Sequence, residues 1–166
     1  MCSGKKQLMR RGFTLIEVLI VVVILGILAA VIVPQASSAR SEARDTTREQ
    51  DMRGVEKSLE MFTNDHGEYP LAAGWRGDAP SFGGFGYEGP NGYIPDLAPQ
   101  YIKVLPRDPN NAYPRADYGY LYRSDGANFK FLAHRTPERI SSSHPLFDPT
   151  RPTYSWQVST PGALNW

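Results

Sequence analysis

One carboxylate of this chain lies where carboxylates are seldom found, inside a long apolar run. Residues 12–33 are almost wholly apolar after Gly12, and Glu17 is the one ionisable residue among them. A charge in hydrocarbon costs on the order of 3 kcal/mol or more. A buried charge is tolerated when it is paired with an opposite charge, but not when it stands alone. The position of Glu17 therefore predicts that its carboxylate pairs with a positive charge from outside this apolar run. The simpler alternative is a carboxyl group that snorkels to a nearby surface or stays protonated.

The run around Glu17 has the length and the flanks of a membrane-spanning helix. Roughly 20 apolar residues are needed to cross a bilayer, and residues 13–35 supply them. Basic residues before the run would hold the N-terminus in the cytoplasm, and these are Lys5, Lys6, Arg10 and Arg11. We expect a single-pass helix in the inner membrane. An ordinary secretory signal is the rival interpretation, but its apolar region is usually shorter, about 7–15 residues.

The helix is expected to continue beyond the apolar run. Pro34 predicts a kink, and residues 36–64 are charged and rich in helix-forming side chains. Apolar residues recur there at spacings of 3, 4 and 3, which predicts one stripe packed under a head; they are Met52, Val55, Leu59 and Phe62. The turns before Met52 lack such a stripe and are predicted to form a polar stalk. Gly67 is expected to end the helix near Asn64.

The remaining residues, 65–166, predict a small head with an antiparallel sheet. Residues 118–133 alternate and are interrupted by Asp125-Gly126, which is typical of a β-hairpin turn. Residues 153–158 also alternate and predict one more strand. Residues 71–92, rich in glycine, proline and aromatics, are interpreted as an irregular loop. The fold class is therefore α+β, with the long helix packed on the sheet. Whether the tail, residues 136–166, wraps the head or contacts a neighbour stays open.

Composition excludes several function classes. Removing the four basic residues before residue 12 from the total of 18 leaves 14, against 17 acidic residues, so nucleic acid is not a default partner. The only cysteine is Cys2, which leaves the rest of the chain without a disulfide. The three histidines are far apart in sequence, and no nucleophile–base or phosphate-loop motif is present. We predict no enzymatic activity and no required cofactor.

The hexapeptide Gly12-Phe13-Thr14-Leu15-Ile16-Glu17 resembles the type IV prepilin signature. The resemblance implies that residues 1–12 are a leader, and that a prepilin peptidase cuts after Gly12 and methylates the amino group of Phe13. It further implies a helical filament of identical subunits, in which Glu17 neutralises the Phe13 amine of a neighbour. Residues Thr14, Gly26 and Pro34 would also take part in assembly.

A second stretch, Leu105-Pro106-Arg107-Asp108-Pro109, resembles the major pseudopilin of type II secretion. Asn110-Asn111 stands where the Trp-Gly of those proteins usually follows, which is a departure. Pseudopilins of this type bind calcium in the following loop, so the resemblance implies a possible calcium site. The hard oxygen ligands available in that region are Asp108, Asp117 and Asp125. Asp108 and Asp125 also have a plainer interpretation as turn residues.

These expectations converge on a structural subunit of a type IV pilus or pilus-like filament, with a pilin-like fold. A pseudopilin of type II secretion or DNA uptake is the alternative within that class. A single-pass anchored binding protein that never polymerises is the alternative outside it. The implied partners are other copies of the chain, the prepilin peptidase, the inner membrane and the assembly machinery. The assembled filament would be an extracellular pilus or a periplasmic filament.

Overall fold

The computed structural model describes residues 12–110 and 117–166, except for the side chains of residues 31–34 and 36. The chain divides into two units, residues 1–39 and 40–166. The leader as far as residue 11 and the departure at Asn111 lie outside the described residues. One long helix is followed by four strands, and these elements are α1 (Leu15–His66), β1 (Ala72–Gly77), β2 (Gly119–Ser124), β3 (Phe129–His134) and β4 (Ser155–Ser159).

The helix α1 ends two residues beyond the predicted position. Its last residue is His66, and Gly67 follows with φ +81°. The N–H of Gly67 donates to the carbonyl of Thr63 at 2.8 Å, which satisfies one of the carbonyls left open at a helix end. Helical structure is continuous through Pro34, and the kink expected there stays a prediction.

The four strands form one antiparallel sheet in the order β1-β2-β3-β4. The predicted hairpin is confirmed, because β2 pairs with β3 along its whole length. Asp125 shapes its turn by accepting hydrogen bonds from the N–H groups of Ala127 and Asn128 at 3.0 and 2.7 Å. The predicted strand near the C-terminus is also present, as β4. The sheet therefore consists mostly of segments whose alternation is visible in the sequence.

Strand β1 was not predicted, and it corrects the interpretation of residues 71–92 as wholly irregular. Its pairing with β2 shifts register between Ala72 and Arg76, and two glycines hide its alternation. Gly77 has a packing reason, since a Cβ there would lie 2.6 Å from the Leu121 side chain and 2.8 Å from the Tyr120 carbonyl oxygen. The rest of the segment contains two short 3-10 helices, Pro80–Phe82 and Gly89–Asn91.

The core lies between the C-terminal half of α1 and one face of the sheet. All four residues of the apolar stripe, Met52 to Phe62, are buried in it. Sheet side chains that are buried in the same cluster are Tyr120, Tyr122, Phe129, Phe131, Trp156 and Val158. The loop between β1 and β2 contributes Tyr93, Ile94, Leu97 and Leu105. This is an α+β arrangement of a long helix and a four-stranded sheet, as the sequence predicts.

The outer face of the sheet is covered by the C-terminal segment. A short 3-10 helix, Pro161–Ala163, follows β4, and the side chain of Lys130 on β3 bonds to the backbone of Leu164 and Trp166. Arg123 on β2 places its guanidinium 4.8 Å from the ring centroid of Trp166. The end of the tail therefore packs on the head, which is one of the two placements that the sequence left open.

Candidate assembly and cation sites

The first turns of α1 expose almost every apolar side chain they carry. Phe13 and Leu15 are each 84% exposed. The exposed set continues with Ile16, Val18, Leu19, Ile20, Val21, Val22, Val23, Ile24, Leu25, Ile27 and Leu28. Among the described residues, no helix meets the length and apolarity that a membrane span requires.

Glu17 and Thr14 cap the start of α1 reciprocally. The N–H of Glu17 donates to the Thr14 hydroxyl at 3.3 Å, and the N–H and hydroxyl of Thr14 each donate to the Glu17 carboxylate at 3.3 Å. This is a capping box, which satisfies open N–H groups at a helix start, and an acidic group there also complements the helix dipole. The Thr-x-x-Glu spacing of a capping box is visible in the sequence. This cap was not predicted, because Glu17 was interpreted as a partner of another subunit.

Two further residues expected to act in assembly have no described contacts of their own. A Cβ placed on Gly26 would meet no atom within 4 Å, so the described residues give no close helix contact at this position. The side chain of Pro34 lies outside what the structure describes. Roles of Gly26 and Pro34 in a filament therefore stay predictions.

A buried ion-pair cluster joins α1 to the loop that holds Asp108. The Arg48 side chain is fully buried, and its Nε and Nη2 donate to the two carboxylate oxygens of Asp108 at 2.8 and 2.9 Å. Its Nη1 donates to Asp45 at 2.7 Å. This two-pronged contact is the geometry in which a guanidinium binds a carboxylate best. The Asp of the Leu-Pro-Arg-Asp-Pro stretch is thus a structural partner of the helix.

The same cluster reaches a third segment, the loop after β3. Asp45 accepts hydrogen bonds from the N–H groups of Glu138 and Arg139, at 3.0 and 2.8 Å to its nearer oxygens. Arg44 forms a two-bond contact with the Glu138 carboxylate, one arm of which is 2.7 Å long. Because Asp45 and Arg48 are buried, the prediction that α1 packs under the head only from Met52 onward, with a polar stalk before it, is wrong for these turns. The charged residues there meet opposite charges of the head, which a search for apolar stripes cannot detect.

The electrostatics of this ion-pair cluster favour the charged forms of Arg48 and Glu138. Burial lowers the pKa of Arg48, but its hydrogen bonds and charge interactions with Asp108 and Asp45 outweigh that and raise it. The hydrogen bond from Arg44 lowers the pKa of Glu138. A paired buried charge is costly to break, because removing one partner leaves the other unpaired in a medium of low polarity.

The three aspartates expected to bind calcium are not brought together as a metal site. Asp108 is engaged by Arg48, Asp117 pairs with Arg135 at 2.7 Å, and Asp125 accepts the N–H groups of its own turn. Among the residues that the structure describes, no group of three or more histidine, cysteine, aspartate or glutamate side chains could hold a metal ion. Within the part of the chain that the structure describes, these three aspartates therefore do not form a calcium site.

A second buried cation lies on the opposite face of the sheet. The Nζ of Lys130 donates to Asp148 Oδ1 at 3.3 Å and to the carbonyl oxygens of Leu164 and Trp166 at 2.9 and 3.1 Å. Burial lowers the pKa of Lys130, against the opposing effect of Asp148. Sequence reasoning missed this lysine, since an isolated Lys in an alternating strand is usually a solvent-facing residue.

Comparisons with known proteins place these features in a family. Residues 8–33 match the family model described as the prokaryotic N-terminal methylation motif. The type II secretion system core protein G of Aeromonas hydrophila is 31% identical over 125 residues, which are 69% of this chain and 78% of that protein. The chain belongs to the core protein G family. This is the family of major pseudopilins of type II secretion, within the wider group that the prepilin signature indicated.

Other core protein G members match shorter stretches. The Pseudomonas aeruginosa protein is 48% identical over 59 residues, which are 36% of this chain and 42% of that protein's length. The Escherichia coli protein is 32% identical over 108 residues, or 60% of this chain and 66% of that protein. No solved structure matches the chain significantly.

Proposed function

We propose that this chain is a major pseudopilin, the subunit of a pilus-like filament of a type II secretion system. The observation that carries the proposal is the 125-residue match to the Aeromonas core protein G. That match is far longer than the methylation motif, which covers residues 8–33, so it includes the head as well. Relatives named for secretion favour the secretion alternative over the type IV pilus, which was the leading expectation from the sequence. The role is structural, with no catalytic step.

The proposed maturation begins between Gly12 and Phe13. A prepilin peptidase would cleave there on the cytoplasmic side of the inner membrane and methylate the new amine of Phe13. The geometry suits such an attack, because Phe13 is 84% exposed and precedes the first helical residue, Leu15. Residues 13–35 would anchor the subunit in the inner membrane until it enters a periplasmic filament.

Assembly would bury the apolar surface that α1 exposes near its start. Each apolar side chain removed from water contributes about 1.5–3 kcal/mol, which makes this surface the driving force for association or for membrane insertion. Glu17 would exchange its contacts with Thr14 for the charged Phe13 amine of a neighbouring subunit. A charge left unpaired in such an interior costs roughly 3–5 kcal/mol, so this pair would set the axial position of each subunit.

The first experiment reads the N-terminal peptide of the protein from bacterial membranes and from the sheared extracellular fraction by mass spectrometry. A processed chain that begins with N-methylated Phe13, retained in membranes, is expected for a secretion pseudopilin. The same peptide abundant in the sheared fraction would contradict the secretion assignment and favour a surface pilus. A chain that still carries Cys2 to Gly12 would overturn the filament proposal.

The second experiment tests the role of Glu17 with a matched control. Glu17→Ala should abolish the cross-linked ladder of processed subunits in membranes and the secretion of exoproteins. Glu60→Ala removes an exposed carboxylate of the same helix and should leave both intact. If the Glu17 variant forms the full ladder, the pairing mechanism is wrong. If the wild-type chain forms no ladder either, an anchored protein that never polymerises becomes the better explanation.

A further inference from the structure

The resemblance to secretion pseudopilins implies calcium in the head, yet the aspartates available do not fit it. Asp108 gives both of its oxygens to the buried guanidinium of Arg48. Asp125 serves its own turn, and Asp117 pairs with Arg135. We infer that the Lys130 ammonium takes the place of a metal ion in this head and fastens the C-terminal segment to the sheet, so that the head is stable without calcium.

The surroundings of Lys130 resemble the oxygen set of a hard cation. Its ammonium group has three N–H donors, and three oxygens accept from them: one carboxylate oxygen of Asp148 and the backbone oxygens of Leu164 and Trp166. Carboxylates and backbone carbonyls are also the ligands that calcium prefers, at 2.3–2.6 Å. Here the distances are 2.9–3.3 Å, which suit an ammonium group.

Asp148 supplies a carboxylate to this oxygen set, and the carboxylate accepts hydrogen bonds from Lys130, Thr150 and Arg151. It is fully buried, and its Oδ1 also accepts the N–H of Thr150 at 3.0 Å. Its Oδ2 accepts from Arg151 at 3.1 Å, and the same Arg151 nitrogen donates to the backbone oxygen of Trp166 at 2.9 Å. The Asp148 carboxylate therefore contacts two positive charges, those of Lys130 and Arg151.

That balance of charge excludes a divalent ion from the position. Calcium would have to displace the Lys130 ammonium from its three oxygens and would then face the Arg151 guanidinium across the same carboxylate. Like charges at such separations repel strongly in a buried environment.

The side chain of Lys130 lies on the face of the sheet that the C-terminal tail covers. Its neighbours on β3, Phe129 and Phe131, point into the core on the opposite face of the sheet. Lys130 lies on the other face, where its side chain contacts the tail. Removing the ammonium would take one positively charged donor from the buried Asp148 carboxylate and from the backbone oxygens of Leu164 and Trp166, which should weaken the attachment of the tail to the sheet.

The test compares thermal unfolding of the processed full chain in detergent with excess EGTA and with millimolar calcium. The wild-type midpoint is expected to be the same in both, whereas a ligand present at 100 times its Kd stabilises by about 2.7 kcal/mol, or several degrees. Terbium, a luminescent calcium probe, should show no saturable signal sensitised by tryptophan. A calcium-dependent rise in the midpoint, or saturable terbium binding, would overturn the inference.

Two variants locate the effect. Lys130→Met keeps most of the side-chain volume and should lower the midpoint by on the order of 10 °C, with no recovery on adding calcium. Lys103→Met, at an exposed position, should leave it unchanged. Should Lys130→Met fail to fold at all, the wild-type calcium and terbium measurements still decide the matter. An unchanged midpoint in Lys130→Met, or its rescue by calcium, would contradict the inference. None of these readouts depends on secretion, so the proposed function can fail separately.

Discussion

The two ends of α1 carry similar apolar side chains in opposite environments. Leu19 and Ile20 are 57% and 51% exposed, whereas Val55 and Leu59 have no exposed surface. The difference does not come from residue type, because all four are aliphatic. It comes from whether the chain itself supplies a covering layer: the sheet covers the second pair, and no described residue covers the first.

The charged residues of the two regions differ in the same way. The Arg48 side chain donates to Asp108 in the head and to Asp45 on the same helix. Among the described residues, the Glu17 carboxylate contacts only Thr14, in an exposed position. Changes in the head should therefore alter its stability, whereas changes near the N-terminus should alter association alone. Each of the following changes tests that contrast through the free energy of unfolding of the head.

The largest loss is expected when the buried ion pair is cut on one side. Arg48→Met should lower the free energy of unfolding by roughly 3–5 kcal/mol, because Asp108 and Asp45 are left as buried charges without their partner. Urea unfolding followed by near-ultraviolet circular dichroism measures this. The double variant Arg48→Met/Asp108→Asn should recover part of the loss. A loss below about 1 kcal/mol, the value typical of a surface pair, would show that the cluster is solvated.

A core truncation should cost somewhat less. Leu59→Ala is expected to destabilise the head by about 2–5 kcal/mol, through lost burial and the cavity left behind. Met61→Ala is the matched control on the same helix, since Met61 is 40% exposed, and it should change stability by no more than about 0.5 kcal/mol. Equal effects of the two variants would mean that this part of α1 does not pack on the sheet as described.

Acid should destabilise the head through His134. Burial, with smaller contributions from Arg135 and Arg151, lowers the pKa of this histidine from 6.5 to about 4. The unfolded chain therefore binds the proton first, and stability falls as the pH drops through 6.5 towards 4. At pH 5 the loss should be about 2 kcal/mol.

The pH effect is isolated by comparing the wild type with His134→Gln from pH 7.5 to 5. Other groups also titrate: burial raises the pKa of Asp51, which acts in the opposite direction, because that group takes up its proton more readily when folded. Such contributions cancel in the difference between the two proteins. The wild type should lose about 2 kcal/mol more than the variant. Parallel curves would refute the assignment to His134.

The smallest effect on the head is expected at the exposed apolar surface. Leu19→Ala should change the free energy of unfolding of the head by no more than about 0.5 kcal/mol, while weakening the cross-linked ladder of processed subunits in membranes. If the head is destabilised as strongly as by Leu59→Ala, the contrast between the two ends of α1 is false. If neither property changes, Leu19 lies outside the proposed assembly surface.

Much of the fold follows from local patterns. The stripe from Met52 to Phe62, the Asp125-Gly126 hairpin and the alternation in β4 each depend on neighbouring residues, so the sequence displays them directly. Strand β1 was not predicted, because Gly74 and Gly77 interrupt the alternation of apolar and polar residues. Its pairing becomes evident only when Gly77 is seen against Leu121, at a separation of 44 positions.

The candidate sites differ in the same way: one is made of contiguous residues, and the others join residues that are distant in sequence. The hexapeptide from Gly12 to Glu17 is contiguous, and the sequence by itself indicated the prepilin-type family. The role of Asp108 could not be found that way, because its partner Arg48 is 60 residues away, and a carboxylate looks the same in sequence whether it binds a metal or an arginine. The same holds for Lys130, whose oxygens come from segments 18 to 36 positions further along the chain.

The sequence determined the apolar N-terminal helix, the prepilin-type signature and the helix-and-sheet class, because each depends on periodicity or contiguous residues. Tertiary structure alone decided which charges are buried and what neutralises them: Arg48 for Asp108, and Lys130 with Arg151 for Asp148. The physical reason is that a charge is stabilised by whatever lies within a few ångströms of it. Folding, through contacts between distant segments, sets those distances.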